Sequence, residues 1–539
     1  MGNSWLTDIS RLMGACYLCV AAGTAFGAPA SVESRISAQN SLFEEYYQSE
    51  LKAHPERATA YGDYRYDRLD DYSLAGIADQ QARDQSFLTR LEAIPTAGLP
   101  EQDGLSHAVL RATLRQRMQN HAFKEYEMPV RFLIEKVPEQ CQGIIAADPL
   151  LLPTQKFPSS ISADDQQRLT RAITDAVNNE VLPAYRAFAS FIVAEYAPHG
   201  RTVLSAASLP GGARRYLNDI HSRTTVSDLS PEQINQIGLQ EIARIQAEMT
   251  GIAHKAGFAD LAAFRASVES DPKYKPTSAE QIVEVFRQYV DQMQPKLPTL
   301  FTYIPGSPVT VEAMPAFQAA NATHYQTGTP DGKRPGRIVV SVSNFAQRSL
   351  IDDEATAYHE GIPGHHMQLS VAQQMIGLPK FRQHTQNSGY IEGWALYAEQ
   401  LGKEVGFYQD PVSDYGRLSS ELFRAVRLVV DTGLHSEGWS RDQVVAFFRQ
   451  SGAIDEPTIQ SETDRYIAWP AQALSYKLGQ LKFRELRARA EKQLGAKCDR
   501  RTFHDQMLNG GVLPLDLLDS RTNSWIKAQK LGAKTAAAN

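Results

Sequence analysis

The sequence predicts a mainly α-helical protein with a small β-sheet just before residue 350. Two observations carry that class. Most of the chain after residue 36 places apolar residues at mixed three- and four-residue spacings, the period of an amphipathic helix. One stretch, RPGRIVVSVSNF at 334–345, breaks that pattern with alternating and β-branched residues bounded by Gly and Pro, as a strand does.

Taken in order, helical periodicity covers 37–53, 76–94, 104–124, 164–194, 230–256 and 278–295. After the strand it resumes over 349–376, 388–405, 415–433, 441–451 and 469–493. Two helices carry clear start signals. Ser230-Pro231-Glu232 offers an N-cap, a proline suited to the first turn and an acidic residue for the helix dipole. Ser278 has the spacing of a capping box with Gln281. A shorter strand is expected at 308–312, and residues 338–344 are expected either to present an edge on which an extended peptide could pair or to be a short structural strand.

Composition sets the frame for function. The chain has 539 residues, 42% hydrophobic and 22% charged, close to the averages of globular proteins. Those values argue against a disordered chain and against a polytopic membrane protein. The net charge of −6 argues against a sequence-independent nucleic-acid binder, which needs a basic surface to displace counterions. Length alone would allow three or four domains at about 150 residues each.

Residues 1–27 read as a signal peptide. Arg11 precedes a moderately apolar run, and Ala25 and Gly27 supply small residues before a cut at Ala28. The run is too short for a spanning helix, which needs about 20 apolar residues. The expected location is therefore periplasmic or secreted, without stable membrane insertion. Cys16 and Cys19 leave with that segment. Cys141 and Cys498 remain, too few for a thiolate zinc site, and sequence leaves open whether they pair.

The chemistry concentrates in AYHEGIPGHHMQ, residues 357–368. A zinc-peptidase helix usually reads H-E-x-x-H, because histidines four apart lie about 40° apart around the axis and can share one ion. Here the position four after His359 is Pro363. In an unbroken helix His365 would lie about 240° around from His359, and His366 about 10.5 Å along the axis. Pro363-Gly364 offers the remedy: a kink or bulge there can absorb Gly361 and Ile362. His365 then becomes the second ligand, with His366 beside the site or facing substrate.

A catalytic zinc site takes three protein ligands and keeps one open position. Glu392 is the third candidate, a carboxylate embedded among Tyr390, Ile391, Trp394, Ala395 and Leu396. Glu399 lies seven residues later on the same helical face and could orient a ligand by hydrogen bonding. Two imidazoles and a carboxylate suit Zn2+, one ion per chain. Glu360, beside the first ligand, is placed to act as general base and then general acid. Arg465, Tyr466 and Tyr476 are candidate donors to a developing oxyanion.

These residues resemble the bacterial family catalogued as domain of unknown function 885, and more remotely the helical glutamate-zinc peptidases that include angiotensin-converting enzyme and carboxypeptidase Taq. The likeness runs through AYGDYRYDRLDDYS at 60–73, LPGGARRYLNDIHSRTT at 209–225 and LSPEQINQIGLQEIARIQAEM at 229–249. It continues through the strand, the YHEGIPGHHMQ and YIEGWALYAEQLG segments, and RYIAWPAQALSYKLGQLKFRELR at 465–487. The two-residue insertion in the metal motif departs from the peptidase pattern. The resemblance implies one large helical catalytic domain, 28–539, with two lobes around a deep cleft. It also implies zinc-dependent cleavage of short peptides, of carboxypeptidase, dipeptidase or oligopeptidase type, and a tyrosine at the oxyanion. A metallohydrolase of a non-peptide amide or ester, and a non-catalytic peptide-binding protein of the same fold, are the competing expectations.

Overall fold

Helices follow one another from Val32 to Ala537, with one three-stranded sheet inserted before residue 350. The computed structural model describes residues 31–127, 136–147, 149–319, 321–452 and 454–537. The expected export segment, 1–27, lies outside them, with Cys16 and Cys19. Cys141 and Cys498 are both free thiols. Among the described residues no helix is long and apolar enough to cross a membrane.

Seven helices and the sheet position the site. Helix α1, Pro231–Lys255, starts with the expected capping box: Ser230 and Gln233 each accept from the other's backbone N–H, and Pro231 occupies the first turn. Ser278 likewise caps the helix Ala279–Met293 by accepting from the Gln281 amide. The sheet comprises β1 (Val309–Ala313), β2 (His324–Gln326) and β3 (Gly336–Val340), in the order β1-β3-β2. Val311 and Tyr325 both stand opposite Ile338, with β1 parallel and β2 antiparallel to β3. The strand that could have been an edge is therefore the central one, in line with the structural alternative. Its GRIVV run is buried along nearly its whole length, as a strand flanked on both sides requires. The partner that covers it, His324-Tyr325-Gln326, is too short and polar to register as a strand in sequence.

After the sheet come α2 (Asp353–Glu360), α3 (His365–Gln374), α4 (Ser388–Glu404), α5 (Pro411–His435), α6 (Glu456–Ala468) and α7 (Leu474–Leu494). The expected continuous helix over 349–376 is two helices with a turn at 361–364, the place where Pro363-Gly364 predicted a break. Several helices escape the periodicity reading, among them Gly212–Thr224, Leu261–Ser270, α6 and Leu515–Ala537.

One core joins the N-terminal helices to the sheet, to α2–α4 and to the C-terminal helices, through residues such as Leu42, Phe286, Ile338, Tyr358, Trp394 and Phe483. A second gathers α1, α5 and α6 around Met249, Leu422, Val426 and Tyr466. A third, smaller cluster ties α1, α5 and α7 through Ile234, Leu428 and Leu474. Helix α7 thus contributes to both the first and third cores. It crosses α4 with the two backbones in contact: a Cβ on Gly393 would stand 2.4 Å from the Gly479 Cα. No side chain fits there, and that crossing fixes Glu392 one residue away.

Candidate metal centre

Helix α2 ends at Glu360 and α3 begins at His365, so the two histidines stand on separate helices. Gly364 allows the turn. A Cβ at that position would lie 2.0 Å from the His359 carbonyl oxygen, closer than any side chain can come. The indole N–H of Trp394, on α4, donates to the Pro363 carbonyl at 2.9 Å and ties the turn to the helix that carries Glu392.

This arrangement brings the imidazoles of His359 and His365 edge to face, with ring centroids 4.8 Å apart. Ligand atoms of His359, Glu360 and His365 lie within 4.8 Å of one another, and all three residues are buried. Glu392 approaches as well: its Oε2 is 3.6 Å from His359 Nε2 and 3.4 Å from His365 Nε2. Ligand atoms on a tetrahedral zinc with bonds of about 2.0–2.2 Å sit about 3.3–3.6 Å apart. The distances from the Glu392 oxygen to the two imidazole nitrogens match that spacing, and the buried His359, Glu360 and His365 could hold a metal ion.

The surroundings hold each group in place. His359 donates from Nδ1 to Glu399 Oε1 at 2.8 Å, which leaves Nε2 turned toward Glu392 and His365. Burial disfavours a charge on His359, but its contacts with Glu392 and Glu399 and the nearby Glu360 overcome that and lift its pKa to about 9. Burial likewise opposes the charged form of Glu392, yet the two imidazoles hold its carboxyl well below the ordinary range. Glu360 accepts from the backbone N–H of Tyr325 at 2.8 Å through Oε2. Nδ1 of His365 is buried and has no hydrogen-bond partner among the described residues.

His366 faces elsewhere. Its Nδ1 is 3.0 Å from the Tyr325 hydroxyl and its Nε2 donates to the Ser307 carbonyl at 3.0 Å. With both ring nitrogens engaged, it braces the sheet against α3, and His365 alone of the two joins the cluster.

The tyrosines separate in the same way. The Tyr476 ring stacks on His359 at 6.3 Å with a 20° tilt, and its hydroxyl accepts from Arg465 Nη2 at 3.4 Å. Tyr466 is buried one layer back; its hydroxyl donates to Glu462 at 2.6 Å and accepts from Arg427 Nε at 2.9 Å. Arg427 bridges the two tyrosines, with its guanidinium 4.4 Å from the Tyr476 ring centroid.

Three features near the centre were not read from sequence. Arg424 and Arg427 flank Tyr476, and the Tyr325 amide anchors Glu360. The arginines did leave a trace: LFRAVRLVV is an apolar helical run broken by two arginines one turn apart. A backbone amide on a three-residue strand leaves none.

The profile of the bacterial family of unknown function DUF885 matches residues 55–128 and 112–521. No curated protein matches the chain. Among solved structures, a lipoprotein candidate from Colwellia psychrerythraea superposes with a TM-score of 0.84 at 25% identity, covering 93% of this chain and 100% of that one. Another, from Shewanella oneidensis and of unknown function, gives 0.67 at 17% identity, over 91% and 99% of the two chains. An oligoendopeptidase F candidate from Bacillus anthracis aligns at 13% identity with a TM-score of 0.36, too remote to carry an argument.

Proposed function

The chain belongs to the bacterial DUF885 family, and from that footing we propose that it is a zinc-dependent hydrolase that cleaves peptide bonds in short peptides. The observation that supports this most is the convergence of His359, Glu360 and His365, with Glu392 at tetrahedral-ligand distance from each imidazole. In this reading His359, His365 and Glu392 hold the ion, which supplies Lewis acidity for activating a water molecule.

The chain's own residues carry the proton traffic. Glu360 keeps Oε2 on the Tyr325 amide, which steadies the carboxylate while Oε1 takes a proton from the attacking water. The same oxygen returns that proton to the leaving amine. Tyr476, rather than Tyr466, serves the oxyanion. Its oxygen accepts from Arg465, so its own O–H proton remains free to donate, whereas the Tyr466 proton is held by Glu462. The lipoprotein description of the Colwellia relative supports work outside the cytoplasm, in line with export by residues 1–27.

Glu360→Gln is the test. Digestion of a short-peptide library by the zinc-loaded variant should fall by about 10²–10⁴, the usual worth of a positioned general base. Metal content should stay at one ion per chain. Equal digestion by variant and parent would defeat the reading, as would a parent that binds no metal. Hydrolysis of non-peptide esters or amides alone would move the substrate class and leave the chemistry standing.

A further inference from the structure

Three guanidinium groups surround the Tyr476 ring. The central carbon of Arg427 lies 4.4 Å from the ring centroid, and those of Arg424 and Arg465 lie 6.0 Å away. Two carboxylates offset them. Glu462 accepts from Arg427 Nη2 at 2.8 Å and from Arg465 Nη1 at 3.0 Å. Glu399 is 3.8 Å from Arg424 Nη2, but the same oxygen already accepts from His359. Three permanent cations therefore bond or closely approach two carboxylates; Asp352 and Asp431 act on Arg424 and Arg465 from farther out, and burial pushes both of those carboxyls up toward the neutral form.

Buried donors, and one buried acceptor, Glu399 Oε2, are left without partners among the described residues. Arg427 is pressed between the rings of Phe423 and Tyr476, and its buried Nη1 has no hydrogen-bond acceptor among the described residues. The buried Nε of Arg424 has none either. Leaving such donors without an acceptor costs about 1–3 kcal/mol each, more for charged groups. Arg465 and Tyr476, by contrast, are only partly buried and offer an approach from outside, and Arg465 already donates to Glu462 through Nη1 and to Gln472 and Tyr476 through Nη2, bonds an incoming anion would share. Unmatched guanidinium donors behind a partly exposed arginine draw an anion, and the planar fork of arginine matches a carboxylate.

We infer that Arg424, Arg427 and Arg465 around Tyr476 form a subsite for a carboxylate of the substrate, with Arg465 making the direct contact. The cleavage it would direct rests on the hydrolase reading above; the binding does not. Tyr476 stands one imidazole stack, 6.3 Å, from His359. The Arg465 guanidinium lies 6.0 Å from the same Tyr476 ring, so at about 3.3–3.6 Å per residue of extended chain the carboxylate would lie within about four residues of the bond cleaved. That carboxylate is either a free C-terminus or an acidic side chain.

Calorimetric binding to the metal-free full-length protein tests the subsite apart from catalysis. The probes are N-acetylphenylalanine, its amide, and the α-amide of N-acetylglutamate. N-acetylphenylalanine should bind at least tenfold more tightly than its amide, and added salt should narrow the gap. Arg465→Gln should reduce the gap to less than twofold, with Arg465→Lys intermediate. The glutamate α-amide identifies the source: binding like N-acetylphenylalanine supports a side-chain carboxylate, and binding like the neutral amide supports the C-terminus. Equal affinity for acid and amide in the parent protein overturns the proposal whether or not a variant folds. So does a gap that survives in folded Arg465→Gln. Selective acid binding by a protein that hydrolyses nothing when zinc-loaded would support the subsite and defeat the hydrolase reading alone.

Discussion

The Nδ1–H of His359, on α2, donates to Oε1 of Glu399, on α4, at 2.8 Å in a buried setting. A carboxylate can only accept, so the bond fixes the proton on Nδ1 and presents the Nε2 lone pair to the centre. It also aligns the ring that Tyr476 covers. Glu399→Gln keeps the shape but weakens the acceptor and removes the charge. Zinc affinity, measured by competition with a chromophoric chelator, should fall about 10–100-fold, the usual cost of losing such a partner. Unchanged affinity would show that Glu399 serves packing alone.

Glu399 was legible in sequence because a seven-residue interval returns to the same helical face as Glu392, and both interrupt an apolar run. The break between His359 and His365 was legible for a related reason: Pro363-Gly364 cannot continue a helix, and no unbroken helix lets those two rings meet. The fold class and the main helices followed from the same local periodicity. What stayed hidden depends on contacts distant in sequence. Of the two roles open to 338–344, the edge failed because β2, three residues long, covers that strand from the other side. Helix α6, EPTIQSETDRYIA, is so polar that its few buried residues set no clear period, yet it carries the Glu462 that organises Arg427, Arg465 and Tyr466.

The adjacent histidines should differ in kind when removed. His365→Ala deletes a candidate ligand and should abolish stoichiometric zinc binding while thermal stability of the metal-free protein changes little. His366→Ala deletes contacts with Tyr325 and Ser307 in a buried setting. It should bind one zinc yet lose about 1–3 kcal/mol of stability, at about 0.5–1.5 kcal/mol per hydrogen bond. Paired metal analysis and denaturant melts separate the two, and the reverse pattern would exchange the assignments.

Removing one hydroxyl from each tyrosine should separate chemistry from packing. Tyr476→Phe keeps the ring on His359 and should lower kcat by about 10²–10³, as loss of an oxyanion donor does, with stability little changed. Tyr466→Phe takes one buried hydrogen bond from each of Glu462 and Arg427, which stay paired with each other, and should cost about 1–3 kcal/mol of stability. Steady-state kinetics with a cleaved peptide, alongside melts of both variants, give the comparison. A larger fall in kcat for Tyr466→Phe than for Tyr476→Phe would reverse it.

Asp353 opens α2 six residues before His359, and it should make the protein less stable as pH rises through neutrality. Burial and the adjacent Asp352 carboxylate push its pKa up to about 8, against the pull of Arg348 at 3.5 Å. Its Oδ2 has no hydrogen-bond partner among the described residues. In the unfolded chain an aspartate titrates near 3.9. Between about pH 4 and pH 8 the folded state therefore holds the proton that the unfolded state has lost. Stability must fall with rising pH across that window, and the whole penalty is present above it. Asp353→Asn is neutral at every pH and carries no such penalty. The variant should resemble the parent near pH 5 and melt at a higher temperature at pH 8.5, in metal-free samples so that zinc binding does not contribute. Parallel pH dependence in the two proteins would mean that Asp353 is already ionised in the fold, with Arg348 carrying its charge.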